Sequence, residues 1–334
     1  MRAVWWMCLV GCAAEPKALF PAPDLSPWVR PDERLTVPAD LAARWPWLTD
    51  LSRFAVHLDG PPEARPDPSH RGAYGVGNGT AFGLIGMTDP INTLHGVVGP
   101  RYAKSGRFWG DTALAVEVDG ADAASTDAWI ARVRDVDAIV TTEVFGPVTL
   151  TVVDLAPRAD EARPVLLRVV HAESTAAVDV DLRVDAFDDP VALGDLFAAP
   201  DGDRQLGYVS LGAPLQLTDA LRLPLGAVSP GAPVTSAIVL VPADDEAGLR
   251  ATVAELPDLD TLLADHVAAS APVGMVVDTT DGWLADWLDG LAWMIRVQTD
   301  AGGSVQPMSR YTGTWLRDTI GPVRFWTRYG QPDR

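Results

Sequence analysis

Between residues 51 and 241 apolar positions alternate with polar ones in short runs separated by Gly, Pro and Asp. Residues 112–118 (TALAVEV), 148–155 (VTLTVVDL), 165–170 (VLLRVV), 178–184 (VDVDLRV) and 236–241 (SAIVLV) carry this period of two, or a continuous apolar run, at strand length. The gaps between them are too short for helical crossovers, so the pattern predicts antiparallel pairing and a β-sandwich. After Pro242 the period changes. Leu249, Val253 and Leu256, then Leu259, Leu262, Leu263 and Val267, fall at helical spacing, and Pro272 breaks the pattern. A third helix follows, in which Trp283, Trp287, Leu291 and Ile295 recur every four residues while Asp286 and Asp289 lie on the other side, with Thr280 or Asp281 as N-cap. This stripe is expected to pack in the core and the acids to face water. No repeat of 20 to 50 residues is visible, which sets aside solenoids and propellers.

The fold class is therefore mainly β, with helices towards the C-terminal end. The divisions are a signal over 1–12, a proline-rich tether over 13–49, a sandwich over 50–242, linker helices over 243–300, and a further element opening at 301–334.

Charge narrows the partners. The formal net charge is −19, Lys17 and Lys104 are the two lysines, and no basic run occurs. Nucleic acid and a bare anionic membrane are thus poor partners, whereas a neutral ligand such as a sugar is indifferent to the field. Cys8 and Cys12 are the two cysteines, so residues 13–334 offer no disulfide and no thiolate metal site. The opening MRAVWWMCLVGCAAEP has one Arg followed by an apolar run too short to span a bilayer. Its Leu9-Val10-Gly11-Cys12 resembles the lipobox of bacterial lipoproteins, which implies export, acylation of Cys12 and anchoring to the cell envelope through that lipid. A plain apolar N-terminus is the other reading of the same residues.

Candidate chemistry is sparse along most of the chain. The glycines of residues 72–86 (GAYGVGNGTAFGLIG) lack the Gly-Lys-Ser/Thr ending of a phosphate loop and the dinucleotide spacing, so they read as a tight turn between strands. His57, His70, His95, His171 and His266 form no pair at helical ligand spacing, so neither a metal nor a cofactor is expected. No Gly-x-Ser-x-Gly elbow nominates a nucleophile. Glu143, Asp154 and Glu173 lie in or beside strands and read as solvated carboxylates. Asp318 differs, because it adjoins Arg317 and lies between Trp315 and Trp326. An indole face, a carboxylate and a guanidinium fork suit a sugar, and Pro322 is compatible with a helix starting here, which would let Arg317 and Asp318 converge. The alternative is an ordinary Arg–Asp pair at a helix start.

The residues Trp315-Leu316-Arg317-Asp318-Thr319, preceded by DAGGSVQPMSRYTG, resemble the motif at the mouth of the six-hairpin (α/α)6 glycosidases, which include glucoamylases, glycogen-debranching glucosidases and relatives of maltose phosphorylase. The order of parts is similar as well: a super-β-sandwich, linker helices, then a toroid of twelve helices. The resemblance implies an enzyme acting on α-linked glucan or oligosaccharide, with Trp315, Arg317 and Asp318 binding the substrate. The family's general acid and base lie farther along the toroid and match no residue here, so no catalytic residue is assigned. Residues 301–334 are expected to open an incomplete toroid, and the chain by itself to be an inactive N-terminal part of a longer reading frame. A non-catalytic carbohydrate-binding or envelope sandwich lipoprotein is the alternative.

Overall fold

In the structure, a computed structural model, residues 36–52, 55–65, 74–86, 89–102, 107–158, 163–185, 189–270, 282–302 and 305 are described. Their alternating segments pair into two antiparallel sheets. The larger runs, in spatial order, β1 (Val56–Asp59), β7 (Asp127–Val133), β8 (Ala138–Phe145), β9 (Val148–Leu155), β10 (Leu166–Ser174), β17 (Val234–Ala243), β14 (Arg204–Ser210), β13 (Leu196–Asp201) and β12 (Val191–Leu193). The smaller runs β15 (Gln216–Leu217), β16 (Leu221–Val228), β11 (Val178–Asp185), β5 (Arg107–Val118), β4 (Leu94–Gly99), β3 (Phe82–Ile85) and β2 (Tyr74–Gly77), with β6 (Ala121–Asp122) paired to β5. The five stretches picked out by their alternation fall on β5, β9, β10, β11 and β17.

β10 shows why some strands read as unbroken apolar runs. Its Leu166, Val170 and Ala172 face the core between the sheets, while Leu167 and Val169 face a second core on the outside of the larger sheet. Both faces are covered, so polar alternation disappears. The second core is closed by Leu41 of α1 (Ala39–Arg44), Leu48 of the following 3-10 turn, Leu249 of α2 (Glu246–Ala254), and Leu262 and Leu263 of α3 (Leu259–Ser270).

Three expectations need correction. Residues 36–49 belong to the packed body rather than to a tether: Leu41, Trp45 and Leu48 are buried, and Arg44 and Trp45 both donate to Asp260 of α3. Pro38 and Pro46 here open a helix and a 3-10 turn, where a missing N–H costs nothing. On α4 (Gly282–Val297) Trp287 is 52% exposed and Leu284 42%, whereas Asp286 is 2% exposed. Arg132 and Arg134, at the end of β7 and just beyond it, draw this helix round: Arg132 meets Asp289 at 2.5 Å and Arg134 meets Asp286 at 3.5 Å. Trp293 and Val297 then take the core contacts.

The third correction concerns Glu143 and Asp154, which are each 1% exposed rather than solvated. The period of two aligns Glu143 with Ile139 and Phe145, and Asp154 with Leu150 and Val152, all facing the space between the sheets. There Arg168 Nε meets Asp154 Oδ1 at 2.7 Å, and its other nitrogens donate to the carbonyls of Thr112, at 3.1 Å, and Asn92. Asn92 exchanges hydrogen bonds with the backbone of Leu114 and donates to Glu143. Arg65 donates to Asp89, Ser125 and the Gly60 carbonyl, 3.9 Å from Glu143. Burial pushes the Asp154 carboxyl up more than Arg168 pulls it down, and burial likewise raises Glu143 against the pull of Asn92 and Arg65.

Removing Arg168 takes the guanidinium from the buried Asp154 carboxyl and from the carbonyls of Thr112 and Asn92. Arg168→Met is expected to lower the unfolding free energy by about 3–5 kcal/mol in urea titrations, and Arg168→Met/Asp154→Leu to recover the part due to the unpaired carboxylate while the Thr112 and Asn92 carbonyls still lack this donor. A single variant as stable as the parent would show the pair to be dispensable.

Candidate functional site

The residues that the sequence nominates for sugar binding, Trp315, Arg317 and Asp318, and the lipidation candidate Cys12 lie outside the described residues. Within the described residues, chemistry concentrates along the seam where α4 crosses the β2–β3 turn and the end of β7.

The glycine-rich stretch forms that turn, as expected. Asn78 Oδ1 accepts from the N–H groups of Thr80 and Ala81, both at 3.0 Å, and from the Thr80 hydroxyl, while its amide donates to the Pro157 and Arg163 carbonyls at 2.8 Å each. The turn's amides are thereby occupied, and none is left to form a phosphate cradle. Gly77 is needed because something else sits where its Cβ would be: Tyr102 Oη at 2.2 Å and the Val297 carbonyl at 2.4 Å. Gly79 takes φ +95°, and its carbonyl accepts from Ala301 N–H at 3.1 Å. Tyr102 Oη, 2.7 Å from the Val297 carbonyl, ties the last turn of α4 to the same place.

Beneath α4, Asp137 is fully buried between Arg158, at 2.6 Å, and Arg296. Burial alone would raise its carboxyl, but the two guanidiniums outweigh it and hold it below the ordinary range. His266 and Ser270 of α3 complete the group, which has the composition of a Ser-His-Asp triad. The proton is in the wrong place for one. His266 Nδ1 accepts from the Arg158 backbone N–H at 3.1 Å, so the ring carries its hydrogen on Nε2, towards Ser270 Oγ at 3.5 Å. A base that is to deprotonate serine needs that nitrogen bare. The cluster therefore joins α3, α4 and the loop after β9 without offering a nucleophile.

Along the same seam, Ser52, Tyr74, Arg132, Asp286, Trp287 and Trp293 line a recess of about 170 Å³. Arg132 lies 5.5 Å over the Trp293 ring, and Trp287 stands at its exposed side. Aromatic faces beside charged groups suit the apolar and hydroxyl sides of a small polyol. The recess is smaller than the ~300–1,000 Å³ typical of pockets for drug-sized ligands. Sequence reasoning missed it by assigning Trp287 to the core. The available signal was complementary charge, with Arg132 and Arg134 in one segment and Asp286 and Asp289 three apart in another.

No protein-family model and no curated protein matches the chain. Solved structures do match its fold. A protein described as "Putative kojibiose phosphorylase from human microbiome" superposes with a TM-score of 0.57 at 8% identity, covering 81% of this chain and 46% of its own. A bacterial glucoamylase complexed with acarbose gives 0.49 at 10% identity, covering 77% of this chain and 45% of its own. The chain thus spans less than half the length of these two proteins, and at 8% identity the likeness to the first is one of fold.

His266 generates a pH dependence. Burial lowers its pKa to about 4 from 6.5, with Asp137 only partly opposing the shift, so the unfolded chain binds a proton that the native state refuses. This contribution is complete above pH 6.5 and is lost as pH falls towards 4, a change of about 3 kcal/mol. In His266→Gln, unfolding free energies measured from pH 7 to pH 4 should fall less steeply than in the parent. Parallel curves would remove His266 from the account.

Proposed function

We propose that this chain is the β-sandwich part of an exported, lipid-anchored protein acting on α-linked glucan or oligosaccharide, related to the six-hairpin glycosidases. In this reading the sandwich is a scaffold, Trp315, Arg317 and Asp318 hold the sugar, and the reacting carboxylates belong to an (α/α)6 domain that residues 301–334 open. The observation that carries it is the sandwich fold shared with the protein described as "Putative kojibiose phosphorylase from human microbiome", together with the Trp-Leu-Arg-Asp motif that follows in the sequence. The buried carboxylates agree with a scaffold role, because Asp137, Glu143 and Asp154 are enclosed by arginines and asparagine and have no access to a substrate.

A non-catalytic carbohydrate-binding sandwich is the second reading, and the recess beside Trp287 favours it. It differs in outcome rather than in ligand class.

The test is an assay of the full-length gene product with maltose and kojibiose, with and without inorganic phosphate. Sugar 1-phosphate formed only with phosphate identifies phosphorolysis, and free glucose without phosphate identifies hydrolysis. Sugar binding in calorimetry without turnover selects the second reading, and neither binding nor turnover overturns both. In an active protein Arg317→Ala should lower kcat/KM by roughly 10- to 100-fold, the worth of a charged hydrogen bond to a sugar hydroxyl. For the anchor, Cys12→Ser should move the protein from the membrane pellet to the soluble fraction. An unchanged distribution would remove the lipid from the proposal.

A further inference from the structure

On the outer face of the larger sheet, away from the α4 seam, Asp40, His171 and Glu173 present one ligand atom each within 4.8 Å of one another. Their placement follows from the fold. His171 and Glu173 are two residues apart on β10 and so share a face. Asp40 lies in the first turn of α1, which packs over that face.

The imidazole is the informative member. The His171 side chain is fully buried, its Nδ1 lies 2.8 Å from Thr235 Oγ1 on β17, and among the described residues no hydrogen-bond partner reaches its Nε2. That nitrogen lies 3.4 Å from Asp40 Oδ1. Two ligands about 2.1 Å from one tetrahedral ion stand about 3.4 Å apart. A hydroxyl held against the remote ring nitrogen is the usual kind of partner that fixes the tautomer of a ligating histidine: with Thr235 Oγ1 accepting from Nδ1–H, the Nε2 lone pair is free for an ion. In that tautomer the three ligand atoms are all electron-pair donors, as a cation requires. We infer that Asp40, His171 and Glu173 form a divalent-metal site of the zinc type, in which the ion pins α1 to β10 and a fourth position opens to solvent beside the exposed Asp40.

One nitrogen and two carboxylate oxygens suit Zn²⁺ among common ions, since Ca²⁺ and Mg²⁺ favour all-oxygen shells.

The experiment uses the full chain stripped with EDTA and then titrated with ZnCl₂. One equivalent of zinc should remain after gel filtration, and the melting temperature should rise by roughly 5 °C at a hundredfold excess over Kd. Asp40→Asn removes an exposed ligand with little risk to the fold and should weaken binding at least tenfold. His171→Gln should abolish it, and His95→Gln, on the other sheet, should leave it unchanged. No retained zinc, or equal binding by the parent and Asp40→Asn, would overturn the site even if His171→Gln fails to fold.

Discussion

The pair formed by Arg168 and Asp154 sets the relation between the two sheets. Apolar faces attract without direction, and two such faces can slide past one another at little cost. A guanidinium with one edge committed to a carboxylate on its own sheet and its remaining donors committed to carbonyls of Thr112 and Asn92 permits a single alignment. Asn92 extends the constraint, since its amide replaces a peptide group in pairing with Leu114 and reaches Glu143 on the opposing sheet. The sandwich thus carries hydrogen-bonded cross-ties through its apolar centre, each member of which is costly to bury alone.

Arginine is the cation of this interior. The chain has 26 basic residues, of which two are lysines, and arginine is the partner of the buried acids Asp137, Glu143, Asp154 and Asp286. A planar fork can satisfy a carboxylate and neighbouring carbonyls together, which a point-charged ammonium does less well. The large negative charge of the whole molecule therefore describes its surface, while the inside is arranged in matched pairs.

Much of the sandwich was legible in the sequence because strand period and strand length are local properties. The five alternating stretches fall on β5, β9, β10, β11 and β17, and the turn at Asn78 and Gly79 was marked by its glycines. What failed was whatever depended on a distant partner. Glu143 and Asp154 read as solvated because neither Asn92 nor Arg65 stands near them in sequence, and Arg168 does not stand out in the apolar run that contains it. The indole stripe of α4 was a sound pattern, but Arg132 and Arg134, some 150 residues upstream, reversed the facing of its acids. Asp40 and His171 come together only because α1 lies across β10, so no ligand spacing could announce them. The sugar-binding reading at Trp315, Arg317 and Asp318 still rests on sequence resemblance.

The close fit of α4 on the glycine turn fixes more than the helix itself. Gly77 admits the Val297 carbonyl, Gly79 holds Ala301, and the acids Asp286 and Asp289 in the first half of the helix are held by Arg132 and Arg134. A rod held at its last turn and along its first half resists both rolling and advancing, and on an α-helix a slip of one residue means a rotation of about 100° and a shift of 1.5 Å. α4 therefore works as a gauge: the sandwich sets the position and heading of the backbone as far as Ala301.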